Sequence, residues 1–151
     1  MNFYFTIMAP NLSRLELGLT DQVYRSFLSV LTCYVSKEWE SLCRRSVPMA
    51  HVNNIEFGPA ARWWGPGMNR QPIEFDIVAE SSDKKSILIG ESKWSFVENP
   101  VIALKRLRQK AELLPLAAGK KIITVLFIKG TSEKEIPANV FLPSDVLERL
   151  R

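Results

Sequence analysis

Two β-rich segments separated by a short turn place the strongest constraint on the fold of this 151-residue chain. Residues 73–79 alternate apolar and acidic side chains with a period of two, which is typical of a half-buried strand. This period places the carboxylates of Glu74 and Asp76 on one face of the strand. The other face carries Ile73, Phe75 and Ile77. Residues 81–84 have the composition of a turn and residues 86–94 resume a β-rich pattern, so we predict a hairpin.

Helical patterns surround this hairpin. An apolar stripe of helical period predicts a long helix over residues 20–47, and a basic amphipathic pattern predicts a second helix over residues 100–114. Residues 121–128 are an apolar run typical of a strand that is buried on both faces. A short strand at residues 140–142 and a terminal helix complete the pattern. We therefore predict an α/β fold in which helices flank a mixed β-sheet.

Two segments are expected to lie outside these elements. Residues 60–64 stand between turns rich in Gly and Pro, so we expect a connection there rather than part of a long element. Residues 3–8 are apolar and begin abruptly, which predicts a short strand or an extended arm. We thus predict an N-terminal arm at residues 1–18, the tail of a missing upstream region, and one domain at residues 19–151. An unpaired apolar strand at a terminus invites association, so a homodimer is a further expectation.

The composition is that of a globular domain that folds without crosslinks. Hydrophobic residues make up 46% of the chain, and no apolar run approaches the ~18 residues of a membrane-spanning helix. Cys33 and Cys43 fall on one predicted helix about 15 Å apart, beyond the reach of a disulfide. We expect a reduced cytoplasmic protein with no membrane segment. Lys and Arg outnumber Asp and Glu by 20 to 16, a mild preference for polyanions that does not by itself establish nucleic-acid binding.

Three charged residues of the predicted hairpin suit metal-assisted hydrolysis of a phosphodiester. Glu91 and Lys93 share one face of their strand, and strand pairing can bring Asp76 beside them. Carboxylate oxygens are ligands for Mg²⁺, and a nearby lysine can orient water or hold a phosphate. The alternative is an ordinary Glu–Lys pair on a solvated strand face. The apolar sequence around these charges favours a partnered site, because unpartnered charges in apolar strands are costly.

The arrangement of Asp, then Glu-x-Lys, on a hairpin between two helices resembles the PD-(D/E)XK superfamily of restriction-endonuclease-like nucleases. In more detail, nearly the whole chain resembles the uncharacterised C-terminal domain of archaeal and bacterial AAA-type ATPases. The segments that carry this resemblance are residues 3–11, 34–44, 62–64, 73–78 and 90–94. Ser36 replaces an expected glycine and Ser92 replaces a frequent cysteine, and neither departure removes a metal ligand.

The resemblance implies a restriction-endonuclease-like core that hydrolyses DNA with Mg²⁺ or Mn²⁺. It assigns Asp76 and Glu91 as metal ligands, the carbonyl of Ser92 as a further ligand, and Lys93 as the catalytic lysine. It also implies an ATPase domain upstream or in trans, because this chain has no Gly-rich phosphate-binding loop with the Gly-Lys-Ser/Thr ending. The competing interpretation is a non-catalytic accessory domain of the same fold that binds nucleic acid or docks onto the ATPase.

The resemblance also implies a third carboxylate on the first helix, where two arguments disagree. The family pattern, an aromatic residue followed by Glu, maps onto Trp39-Glu40 and selects Glu40. A rotation of ~100° per residue instead places Glu38 closer to the apolar stripe. We choose Glu40, because a carboxylate that reaches a metal belongs at the rim of a stripe rather than at its centre.

Aromatic and basic residues supply candidate contacts to DNA. Trp63 and Trp64 can stack on bases, although adjacent tryptophans beside turns more often cover the edge of a core. The second predicted helix carries cations that either contact phosphates or form a solvated face. These cations are Lys105, Arg106, Arg108 and Lys110.

Overall fold

The computed structural model describes residues 3–151, except for the side chain of Ser29. The packing of the chain separates two compact units, residues 1–38 and 39–151, and each is described by itself. The predicted functional division near residue 18 stays a prediction.

The first unit is helical along most of its described length. A π-helical turn at Tyr4–Met8 and a 3₁₀ turn at Ala9–Asn11 precede the short helix α1, Leu12–Glu16. The long helix α2 spans Thr20–Ser46, which confirms the helix predicted from the apolar stripe. The expectation of a strand or an extended arm at residues 3–8 is wrong.

This N-terminal helical segment packs on α2 and contains a local side-chain hydrogen bond. The ring of Phe3 lies edge-on to Phe27 and Tyr34, with centroid distances of 5.7 and 5.9 Å. The side-chain amide of Asn11 donates a hydrogen bond to the carbonyl of Ile7 at 2.8 Å. A run of six mostly apolar residues is too short for a period of two to be distinguished from a period of 3.6.

Helix α2 is 27 residues long, but it carries charged side chains toward both of its ends. Within residues 3–151, no helix combines the length and the apolar character needed to cross a membrane.

The second unit is built on a five-stranded mixed sheet. Its strands are β1 (Ala61–Pro66), β2 (Pro72–Glu80), β3 (Ser86–Phe96), β4 (Lys121–Gly130) and β5 (Val140–Phe141). They lie in chain order across the sheet; the first two pairings are antiparallel and the last two are parallel. Helix α3 (Pro100–Ala111) connects β3 with β4, and α4 (Pro143–Arg149) follows β5. Short 3₁₀ turns lie at Val47–Met49 and Pro115–Ala117. This architecture confirms the α/β fold with a mixed sheet and the predicted hairpin.

Apolar clusters on both faces hold the helices against the sheet. The cluster beneath the last turns of α2 includes Trp39, Cys43, Ile77, Leu88 and Val125. The cluster beneath α3 includes Phe75, Ile89, Leu107 and Ala111. Residues 123–128 of β4 are all buried, which confirms the prediction of a strand covered on both faces.

The segment that was expected to be a connection forms the edge strand β1. It pairs antiparallel with β2, and Trp63 lies opposite Phe75 with a ring centroid distance of 6.3 Å. The expectation that residues 60–64 lie outside the main elements is therefore wrong. Gly65 and Pro66 mimic a turn in the sequence, but they end an edge strand, which is the place where a sheet tolerates Pro.

Strand β2 departs from strict alternation at the position where Asp76 lies. The register with β1 changes between the pairs Ala61↔Val78 and Trp63↔Phe75, so two residues of β2 oppose Arg62 alone. An extra residue of this kind is a β-bulge, which re-aims the side chains around it. As a result, Phe75 packs beneath α3 while Ile77 packs beneath α2. The predicted common face for Ile73, Phe75 and Ile77 is wrong for this reason.

Candidate active site

A cleft of about 160 Å³ opens where β2 and β3 separate beside α3. The last backbone pair in the antiparallel ladder is Ile77↔Gly90, and continuing that register places Asp76 opposite Glu91. Residues directly opposite each other on antiparallel strands share a face. The lining residues are Glu74, Phe75, Asp76, Gly90, Glu91, Leu107 and Lys110. Two of the predicted metal ligands thus line one cleft.

Hydrogen bonds from two directions fix the position of Asp76. Its Oδ2 accepts a hydrogen bond from the backbone N–H of Ser92 at 2.9 Å, and the hydroxyl of the same serine lies at 3.4 Å. Its backbone carbonyl accepts a hydrogen bond from Nη1 of Arg44 at 3.1 Å. Because only Oδ2 is used within the described part of the chain, Oδ1 retains its capacity to bind a ligand.

Glu91 and Lys93 form an ion pair on the β3 side of the cleft. The Nζ of Lys93 lies 3.2 Å from Oε1 of Glu91, and the two side chains are 41% and 35% exposed. Period two along β3 brings them to one face, as the sequence predicted. Both groups are therefore held together while remaining accessible to a ligand.

Glu40 is connected with this site through Arg44. Its carboxylate lies 3.6 Å from Nη1 of Arg44, the same guanidinium nitrogen that donates to the carbonyl of Asp76. Within residues 3–151, no three His, Cys, Asp or Glu side chains lie close enough together to hold a metal ion. Glu40 thus lies beside Arg44 rather than in a cluster of three carboxylates, and its role in metal binding stays a prediction.

The second acidic residue of β2, Glu74, has partners of its own. Its carboxylate accepts hydrogen bonds from the guanidinium of Arg62, and this interaction raises the pKa of Arg62 above its ordinary value. The backbone carbonyl of Glu74 accepts a hydrogen bond from Lys110 at 2.5 Å. Glu74 lines the cleft, but the residue pattern of the hairpin assigns Asp76 and Glu91 as the metal ligands, so we treat Glu74, held by Arg62, as a residue outside the proposed metal site.

The four cations of α3 fall into two groups. Lys110 lies over the ring of Phe75 at 4.8 Å and lines the cleft, and Arg108 donates to the carbonyl of Ile122. Lys105 and Arg106 are exposed. The latter two are thus free to face a ligand, whereas Lys110 belongs to the wall of the cleft.

The two adjacent tryptophans differ in their surroundings. Trp63 is partly buried against Phe75, as expected of a residue that covers the edge of a core. Trp64 is 72% exposed and therefore retains a free ring face for stacking. Trp94 packs on Trp39 beneath α2 with a centroid distance of 5.4 Å, so it belongs to the core.

Sequence reasoning missed Arg44 at this site, and it named Lys110 as a contact to DNA phosphates without placing it in the wall of the cleft. Both contact backbone carbonyls of β2 from elements that are more than 30 residues away in the sequence. A local signal existed for Arg44, because it stands four residues after Glu40, the spacing of ion pairs on a helix. Lys110 lies three residues after the buried Leu107, which places it at the rim of the buried face of α3.

The donor set fits a hard divalent cation that keeps part of its water shell. The cleft offers the carboxylates of Asp76 and Glu91; Ser92, whose carbonyl is the proposed further ligand, directly follows Glu91 in the chain and donates its N–H to Asp76. Mg²⁺ is commonly bound by one or two carboxylates and several waters, so this set is sufficient for it. A closed tetrahedral zinc site needs four N or S ligands, which the cleft does not contain.

The fold and the cleft together define a mixed α/β domain with a site of two carboxylates and a lysine. The sequence model of a family described as archaeal and bacterial proteins of unknown function (DUF234) matches residues 4–104. The match covers more than half of the chain, so the chain belongs to this family. No curated protein gives a significant match, and no solved structure does.

Proposed function

We propose that this chain is a metal-dependent nuclease domain that hydrolyses DNA phosphodiester bonds. The observation that carries the proposal is that Asp76 and Glu91 line one cleft and that Lys93 forms an ion pair with Glu91. Its residue types and their order along the hairpin are those of the PD-(D/E)XK nucleases, and helices precede and follow the hairpin as in that superfamily. The proposal includes a restriction-endonuclease-like core and a position as the C-terminal module of an AAA-type ATPase.

Four residues in and beside the cleft have a defined task in this mechanism. Asp76, Glu91 and the carbonyl of Ser92 would hold Mg²⁺ or Mn²⁺, which would supply a water of lowered pKa and neutralise charge on the reacting phosphate. The N–H of Ser92 keeps Asp76 in place through its Oδ2. Lys93, held by Glu91, orients the attacking water and donates a hydrogen bond to a phosphate oxygen.

The DNA strand meets the protein around the cleft. Lys105 and Arg106 on the exposed face of α3 bind backbone phosphates, and Lys110 adds positive charge at the wall of the cleft. Trp64 supplies an exposed aromatic face for a base. These contacts do not depend on the DNA sequence, because none of them is a hydrogen bond to a base edge in a groove of the DNA.

Cleavage of plasmid and single-stranded DNA tests the proposal. Wild-type protein is expected to cut with Mg²⁺ or Mn²⁺ and to stop in EDTA. Asp76→Asn and Glu91→Gln should lower the rate at least ~100-fold, in the range expected when a principal catalytic group is removed. Glu74→Gln is the matched control, since it removes a carboxylate of the same strand that is already bound by Arg62. Cleavage that persists in EDTA, or equally in Asp76→Asn and Glu74→Gln, would refute the proposal.

A further inference from the structure

A groove of about 690 Å³ lies on the α2 side of the second unit, where the end of α2 meets α4. Four arginines line it, and the lining residues include no Asp, Glu or Lys. These arginines are Arg44, Arg45, Arg149 and Arg151. The whole chain has a net charge of only +4, so this groove concentrates positive charge to an extent that the composition does not suggest.

The carboxylates near the groove neutralise part of this charge. Glu40 pairs with Arg44 at 3.6 Å. Asp145 attracts Arg149 electrostatically without forming an ion pair with it. The carboxylate of Asp145 accepts a hydrogen bond from the N–H of Leu142 at 2.7 Å. Arg45 and Arg151 are exposed and have no ion pair among the described residues. At least two guanidinium groups are thus available to an anion.

Arg149 gives a second and independent indication of a ligand. Its guanidinium lies 4.0 Å from the ring centroid of Phe141, and its Nη1 is buried without a hydrogen-bond partner in the described structure. Burial of a charged donor without a partner is costly, and such groups call for a specific explanation. If the guanidinium of Arg149 turns toward an anion in the groove, Nη1 gains a hydrogen-bond acceptor and the free-energy cost of its burial is removed.

We propose that this arginine groove binds the phosphates of a nucleic-acid backbone. The planar fork of Arg matches phosphate oxygens with two parallel hydrogen bonds, which a Lys side chain does not do. The groove has the size of a site for several groups rather than for one ion. No aromatic residue lines it, so it contacts the backbone rather than the bases.

Arg44 links this groove with the catalytic cleft. It lines the groove and donates a hydrogen bond to the backbone carbonyl of Asp76. A strand held in the groove is therefore anchored next to the strand β2 that carries the metal ligand. The identity of the anion as nucleic acid rests on the proposed function, but the binding itself requires neither a metal nor cleavage.

Fluorescence anisotropy of a labelled 20-nucleotide DNA, single-stranded and duplex, tests this inference with the full chain in EDTA. The double variant Arg45→Gln/Arg151→Gln removes two exposed charges from the groove. We expect binding at least ~10-fold weaker than wild type, and a slope of log K against log salt that is smaller by roughly 1.4 for the single strand and 1.8 for the duplex.

The matched control is Arg70→Gln/Lys134→Gln, which removes two exposed positive charges outside the groove. It should change the affinity less than ~3-fold, because it alters only the general field of the protein. Equal losses in the two double variants, or wild-type affinity in the groove variant, would overturn the inference.

Poly-glutamate, as a labelled peptide of equal charge, separates phosphate from carboxylate recognition. If it binds as tightly as DNA and loses affinity in the same groove variant, the site recognises an acidic protein segment and the inference is wrong. Because the binding assay contains EDTA and no metal, absence of cleavage by the wild type would refute only the proposed function, whereas wild-type affinity in the groove variant would refute only the groove.

Discussion

The backbone of Gly90, immediately before Glu91, lies so close to its neighbours that a single methyl group should destabilise the domain. A Cβ added there would lie 3.0 Å from Cγ2 of Val125 and 3.1 Å from Cβ of Ile77. Carbon atoms in ordinary contact are 3.5–4.0 Å apart, so both distances are well inside the repulsive range. Val125 and Ile77 are both fully buried, so neither side chain can move into solvent.

The cost of Gly90→Ala follows from what has to move. The Cβ of Ile77 is fixed by the backbone of β2, and the branched side chain of Val125 has few alternative rotamers. The clash must therefore separate the strands or force a strained rotamer, which typically costs about 1–3 kcal/mol in a packed core. With a urea m value of about 2 kcal/mol per molar, a loss of about 2 kcal/mol lowers the midpoint of unfolding by about 1 M.

Urea unfolding followed by tryptophan fluorescence measures this loss. Gly58→Ala is the control, because its added Cβ meets only a backbone oxygen of Glu80 at 3.6 Å, an ordinary contact, and it should change the stability by less than about 0.5 kcal/mol. Val125→Ala provides the space that the new methyl group needs, so the double variant should be more stable than the sum of the single losses by about 0.5–3 kcal/mol. Additive losses, or a Gly90→Ala variant as stable as Gly58→Ala, would refute this account of the packing.

Three further outcomes are expected. Burial raises the pKa of the Cys43 thiol while Cys33 is exposed, so a thiol reagent should modify only Cys33 in the native protein and both in urea; rapid native modification of both would contradict the packing of α2. Glu40→Gln should weaken Mn²⁺ binding several-fold and Glu38→Gln should not, and the reverse result would favour helical periodicity over the family pattern. A lysine hydrogen bond lowers the pKa of Glu80, so its stabilisation is present above the unfolded-state pKa and is lost as the pH falls through the folded-state pKa. In Glu80→Gln the melting temperature should therefore fall less as the pH is lowered than it does in wild-type protein. The same dependence of melting temperature on pH in both proteins would show that the Glu80–Lys120 pair does not contribute to stability.

The sequence predicted the elements that have strong local signals. The hairpin was predictable because residues 81–84 have turn chemistry between two β-rich runs, and α2 was predictable from its long apolar stripe. Strand β1 was missed because its Gly65 and Pro66 have the same local signature as a turn, and only pairing with β2 makes it a strand. The bulge at Asp76 was also missed, because it depends on the register between two strands rather than on either strand alone.

The site was also predictable only where it depends on local strand geometry. Glu91 and Lys93 are two residues apart, so strand geometry alone brings them together. That Asp76 lies near Glu91 follows from the antiparallel pairing of β2 with β3. The contacts of Arg44 and Lys110 depend on how α2 and α3 pack on the sheet, which no local pattern encodes.

Titration of Mn²⁺ followed by electron paramagnetic resonance tests most directly whether Asp76 and Glu91 form one metal site. The account predicts one strong site in wild-type protein, at least ~10-fold weaker binding in both Asp76→Asn and Glu91→Gln, and wild-type affinity in Glu74→Gln. Equal affinity in all four proteins, or a loss confined to Glu74→Gln, would contradict it.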